Sequence, residues 1–132
     1  MEEEKVLNDA AVEIVSGTLK AEVEKTVAEI KAANPKIKVV YPIVVEGEDY
    51  DGKEHYIGYF KQPDLKAFSK YLTSAQTNSV VSMRALAQDC FIQGDKELIE
   101  DESLFIFGLM GQMGNIIKVR NSALVNLSKP GK

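Results

Sequence analysis

The chain has 132 residues, 45% of them hydrophobic and 27% charged, with a formal net charge of −4, which suits one globular domain with a substantial core and argues against disorder. No apolar run reaches the ~20 residues that a membrane span requires, and the opening Met1-Glu2-Glu3-Glu4-Lys5 lacks the apolar stretch of a secretory signal. A single cysteine, Cys90, has no partner for an internal disulfide, so a cytoplasmic protein without a membrane attachment is expected.

The charge is unevenly placed. Residues 1–34 hold eight acidic and four basic side chains, whereas residues 35–132 hold twelve of each. Within that balanced body, Asp95, Glu97, Glu100, Asp101 and Glu102 crowd around one cation, Lys96. The last fifteen residues carry Lys118, Arg120, Lys129 and Lys132 and no acid. A nucleic-acid-binding protein would show a denser basic stripe interleaved with exposed aromatics, so nucleic acid is not expected as a partner.

Residues 6–33 read as a helix. Val12, Leu19, Val23, Ile30 and Ala33 keep to one face, with Ser16 and Thr26 as polar members of the same stripe. Gly17 makes a break near residues 16–18 expected, and Asn34-Pro35 ends the helix because a residue before proline is driven out of the α region. Two readings remain open for it. It packs on its own domain, or it is an interaction arm (residues 1–34) that docks on a partner or on a second copy through Leu19, Val23 and Ile30. The polar members leave the stripe too weak to be stable alone.

From Ile37 to Lys61 the pattern is that of strands. Ile37–Val45 and His55–Phe60 are rich in β-branched and aromatic residues, and Asp51-Gly52 between them predicts a two-residue hairpin turn. Pro42 cannot donate a ladder hydrogen bond, which places it on an edge strand, at a bulge or at a strand start.

Helices follow. Pro63 suits a first helical position, and Leu65, Phe68, Leu72 and Ala75 form one apolar face. Asn78 predicts the N-cap of a second helix, lined by Val80, Met83, Ala87, Cys90 and Phe91 and ending at Gly94. Asp95 or Asp101 caps a third, whose Leu104, Phe105, Phe107, Leu109, Met110, Met113, Ile116 and Ile117 make it apolar nearly all round. Such a helix is either central to the core or keeps a face for a partner. Val119–Leu127 reads as a short last strand or an ordered tail, and residues 128–132 as a flexible tail.

Little of this carries chemistry. His55 is the only histidine, and no cysteine cluster accompanies it, so no zinc site is expected. Cys90 lies beside Ala87 and Phe91 on its helix face with no base in reach, which fits an inert core thiol. Residues 46–52, Glu-Gly-Glu-Asp-Tyr-Asp-Gly, lack the spacing of a calcium loop and fit a solvated hairpin tip. Gly108, Gly111 and Gly114 recur every third residue but follow no strand and precede no nearby lysine, so they form no phosphate loop. They mark a slanting strip where a neighbouring element, or alternatively a partner, approaches closely. No catalytic residue, metal or cofactor is expected.

The stretch from Tyr56 to Leu127 also carries a pattern. Tyr56-Ile57-Gly58-Tyr59-Phe60-Lys61-Gln62-Pro63 leads through two helices to Ala87-Gln88-Asp89-Cys90-Phe91-Ile92-Gln93-Gly94-Asp95-Lys96-Glu97-Leu98. An apolar helix ending Ile117-Lys118-Val119 completes it. This resembles small phage and prophage proteins of the tail-assembly-chaperone type. In those, a hairpin ending in proline leads into helices, and a Cys-aromatic-x-x-Gly-Asp junction precedes an acid-capped helix. The resemblance implies a non-enzymatic protein that binds other phage proteins during virion assembly, in the host cytoplasm if phage-encoded.

The expected fold is therefore α+β: an N-terminal helix over residues 1–34, then a single domain over residues 35–127. In that domain an antiparallel hairpin or small sheet is followed by three packed helices. The expected function is protein binding, with Leu19, Val23, Ile30, Phe107, Gly108, Gly111 and Gly114 as candidate contact residues and a phage structural protein or a second copy as partner. The alternative is a phage accessory or anti-defence factor that sequesters a small ligand or inhibits a host protein.

Overall fold

A computed structural model describes residues 17–117, 121–125 and 127. The fold is α+β, with helices on both sides of a three-stranded antiparallel sheet in the order β1-β2-β3. Helix α1 (Gly17–Ala33) leads to β1 (Tyr41–Glu46) and β2 (His55–Phe60). Helices α2 (Leu65–Ala75) and α3 (Ser79–Cys90) follow, and β3 (Phe91–Gly94) returns to the sheet. The last described elements are α4 (Glu97–Glu100), α5 (Glu102–Leu104), a π-helical turn (Phe105–Leu109) and α6 (Met110–Met113).

Side chains alternate between the two faces of the sheet, and the two faces feed two cores. Ile43, Tyr56 and Phe60 point into the main core with Leu86, Ala87, Cys90, Leu98, Phe105, Leu109, Met113 and Ile116. Phe60 meets Phe91 edge-on at 5.5 Å between ring centres, a geometry that the ring quadrupoles favour. The apolar segment thus lies in the core, the first of the two readings its sequence allows. On the opposite face Val40 and Tyr59 are buried with Val23 and Ile30 of α1, and Leu19, Val27, Ile57 and Ile92 pack around them.

Helix α1 stops where its sequence says. After Ala33, Asn34 turns back so that its backbone N–H and side-chain Nδ2 both donate to the Ile30 carbonyl, at 2.9 and 3.0 Å. Of the two readings open for this helix, residues 17–33 take the first: they pack on their own sheet. Ala33 is exposed and outside that contact. Val12 and Ser16 lie outside the described residues, and so does the stretch N-terminal to the expected break at Gly17.

The hairpin is present, but its turn differs from the expected one. Tyr41 pairs with Phe60 and Glu46 with His55, and the Gly47 N–H donates to the Glu54 carbonyl at 2.8 Å. Residues 47–54 therefore form a longer loop, in which Asp49–Asp51 make a single 3-10 turn. The Asp51 carboxylate accepts from the Glu48 N–H at 2.8 Å, while the Asp51 N–H donates to the Glu48 carbonyl at 2.9 Å. That reciprocal pair outcompetes a two-residue turn, and only Gly52 takes a positive φ, +73°. Gly52→Ala meets open space but must adopt that left-handed conformation. It should cost about 1 kcal/mol, read as a small drop in the urea midpoint. Pro42 sits in β1, an edge strand, where its missing donor leaves no ladder bond unmade.

Further departures follow from local chemistry. The cap of α2 is Asp64, whose carboxylate accepts from the Ala67 N–H at 2.8 Å, so Pro63 precedes the helix and does not start it. The face of α2 turned to the core carries Ala67 and Tyr71, and Leu65 and Leu72 are exposed. Asn78 caps α3 as expected, accepting from the Val81 N–H at 3.1 Å. However, α3 ends at Cys90, and residues 91–94 form β3, a strand the sequence reading had assigned to the helix. Asp101 caps α5 by accepting from the Leu104 N–H at 3.0 Å. Asp95 instead ties β3 to β2: its N–H donates to the Ile57 carbonyl and its carboxylate accepts from the Ile57 N–H. Residues 121–125 and 127 have no regular structure, so the expected last strand is not formed there.

Candidate interaction surface

The hairpin loop and the start of the apolar helix enclose a cleft of about 200 Å³. Its apolar lining comes from Val45 at the end of β1, Leu104, Phe107 and Gly108, with Tyr50 on the loop. The helix lies close to β1 because residue 108 has no side chain: a Cβ there would stand 2.7 Å from a Val45 methyl. The π-helical turn carries Phe105 and Leu109 inward, fully buried, and leaves Phe107 86% exposed. Tyr50 is 83% exposed. Two large aromatic side chains thus stand largely in solvent beside one cleft.

The rim is acidic. Glu46, Glu48, Asp51 and Asp101 line the cleft, and among the described residues no Lys or Arg does. The nearby Lys53 is turned away, its Nζ 2.8 Å from Asp95 and 4.7 Å from the centre of the Tyr56 ring. The hydrogen bond to Asp95 raises the Lys53 pKa above its usual value, against a smaller opposing effect of desolvation. The sign follows: this pair stabilises the fold below pH 10.5 and its contribution is lost as pH rises through the elevated folded-state pKa. Asp95→Asn should remove that alkaline dependence, and a chemical-denaturation series from pH 9 to 12 checks it.

A second concavity, about 410 Å³, runs between α2 and α3. Ala67, Tyr71, Val81, Ala85 and Leu86 give it an apolar lining, with Ser74 and Ser82 hydrogen-bonded to each other at 2.7 Å.

The candidate residues divide. Phe107 and Gly108 meet at the acidic cleft. Gly111 and Gly114 have nothing within 4 Å of a built Cβ, so the glycine strip makes a close approach at Gly108 and at neither of the other two. Val23 and Ile30 are buried on the sheet, with half-buried Leu19 beside them, so their apolar face is already used within the chain. The sequence reading missed Tyr50, whose exposure depends on the loop conformation. It also missed Arg84, which donates to the carbonyls of Ile99 (2.6 Å) and Glu100 at the end of α4 and lies over the Phe105 ring.

His55 opens β2 opposite Glu46 and is half-buried. Cys90 is fully buried, and desolvation pushes its thiol pKa up to about 11. In the unfolded chain it would ionise near 9, so Cys90 costs stability progressively between pH 9 and 11. Iodoacetamide at pH 8 should label Cys90 only at the rate of unfolding, and rapid labelling of the native protein would show the thiol to be accessible. Among the described residues no three His, Cys, Asp or Glu side chains are placed to hold a metal ion. Among them, too, no helix is long and apolar enough to cross a membrane.

No protein-family model, curated protein or solved structure matches the chain.

Proposed function

We propose that this protein works by binding another protein, and that it is a non-enzymatic assembly factor of the phage tail-assembly-chaperone type. The observation that carries the binding reading is the aromatic pair Phe107 and Tyr50, held in solvent beside an apolar cleft. Aromatic side chains of this kind are favoured anchors at interfaces, since they bury large areas with few rotamers to fix. The phage assignment rests on the sequence pattern of residues 56–127. The test is co-purification from cells expressing the surrounding phage genes. A phage structural polypeptide, identified by mass spectrometry, should accompany the wild-type chain and be lost with Phe107→Ser. Recovery of the same polypeptide at equal yield with the variant overturns the reading.

The alternative, sequestration of a small apolar ligand, is favoured by the groove between α2 and α3, whose volume lies in the range of ligand sites. A ligand retained through purification and released by Ala85→Phe would support that reading over the first.

A further inference from the structure

A cleft and a chain segment of this protein are complementary in charge and apolar character. The first is the cleft of Val45, Tyr50, Leu104, Phe107 and Gly108, rimmed by Glu46, Glu48, Asp51 and Asp101. The second is the segment from Lys118 to Lys132, which reads Lys-Val-Arg-Asn-Ser-Ala-Leu-Val-Asn-Leu-Ser-Lys-Pro-Gly-Lys. It combines four cations, no acid and an apolar centre. Where it is described, that centre is in water: Leu124 is 94% exposed, Leu127 90% and Val125 also exposed. The cleft offers apolar floor and negative rim, and the segment offers apolar side chains flanked by positive charge.

Resting on the protein-binding reading above, we infer that the Phe107–Tyr50 cleft is the docking site for the Lys118–Leu127 segment of a second copy of this chain. Exchange of the two segments between two copies closes the assembly, because each chain then supplies one cleft and one segment. In the proposed pair Leu124, Val125 and Leu127 cover Phe107 and Tyr50, while Arg120 pairs with Glu46 and Lys118 with Asp101. The apolar contacts supply most of the affinity, and the charges fix direction and register and make association salt-dependent. The assignment also gives the glycine at position 108 a second consequence. By letting the helix sit close on Val45, it brings Phe107 to the rim beside the hairpin loop.

The test uses the full chain and light scattering over a concentration series. The wild type should show a mass rising to twice the 14.6 kDa of one chain, with the midpoint moving to higher concentration as salt is added. Phe107→Ser alters a side chain that is 86% exposed, so it should abolish the dimer and leave the thermal melt unchanged at concentrations below the dimerisation midpoint, where both proteins are single chains. Glu46→Lys and Arg120→Glu should each weaken association about tenfold, and the two together should restore it. A wild-type mass of one chain at every concentration overturns the inference, as does a dimer that survives Phe107→Ser or a double reversal that fails to rescue. The two readings separate cleanly. If the chain stays monomeric yet Phe107→Ser loses the phage polypeptide, the second-copy assignment falls and the protein-binding function stands.

Discussion

Gly94→Ala is expected to lower stability by about 3 kcal/mol or more, among the largest effects available to a single added methyl in this fold. Two costs combine. The residue sits at φ +124°, a conformation that L side chains rarely adopt. A Cβ there would also stand 2.4 Å from the Ile57 carbonyl oxygen and 2.9 Å from the Gly58 Cα, both backbone atoms of β2. The neighbourhood cannot yield easily. Gly94 pairs with Gly58 across the sheet, and the next residue, Asp95, is bound to Ile57 through both its N–H and its carboxylate. Gly58 itself is hemmed in by Phe60 and Leu98. Relief therefore requires detaching β3, and with it the start of the segment that delivers Leu98, Ile99 and Phe105 to the core. Gly111→Ala is the matched control: nothing lies within 4 Å of its Cβ, and in a helix the methyl should stabilise by up to about 1 kcal/mol. Comparable urea midpoints for the two variants would show that the β2–β3 junction is not under this constraint.

The same junction shows what the sequence conceals. Phe91-Ile92-Gln93-Gly94 is four residues long and directly continues a helix, so an apolar side chain such as Phe91 fits a helix face or a strand equally well. What decides is tertiary: the β1–β2 hairpin alone would leave one edge of β2 unpaired, β3 fills it, and the glycines at 58 and 94 allow the backbones to meet there. The phase of α2 failed for a related reason. Leu65 and Leu72 are the more hydrophobic residues, but the Asp64 cap and the short connection from β2 orient Ala67 and Tyr71 toward α3 and the sheet. The choice between Asp95 and Asp101 as a cap stayed open in the sequence, but local signals were enough for the hairpin strands, for the Asn78 cap and for the end of α1 at Asn34-Pro35. Each depends on residues within four positions of one another. At the cleft, Phe107 and Gly108 could be singled out from an apolar helix with a glycine strip. The acidic rim could not, since Glu46, Glu48 and Asp51 join Asp101 only through the register of β1 and the 3-10 turn in the loop.

A chain beginning at Pro35 is expected to aggregate or to lose its cooperative melt. Removing residues 1–34 strips α1 from the sheet face where Val40 and Tyr59 are buried and where Ile57 and Ile92 pack. Burial of Val23 and Ile30 contributes roughly 3–6 kcal/mol together, using about 1.5–3 kcal/mol for each side chain. A small domain is stable by only about 5–15 kcal/mol in total, so a loss of that size leaves little margin, and the uncovered strands add a sticky apolar surface. The isolated helix gains nothing by its release, because its stripe is interrupted and a helix of this length is marginal in water. Ile30→Ala in the full chain isolates the packing term. It should cost about 2–4 kcal/mol, since Ile30 is the most deeply buried residue of α1. Leu19→Ala, at the half-buried rim of the same cluster, should cost distinctly less. Circular dichroism melts and light scattering on the three variants decide the matter. If the shortened chain stays monomeric and melts cooperatively within a few degrees of the full protein, α1 is a separable arm whose apolar face is free to serve a partner. If it fails as expected, α1 belongs to the domain core and its apolar face is not available to a partner.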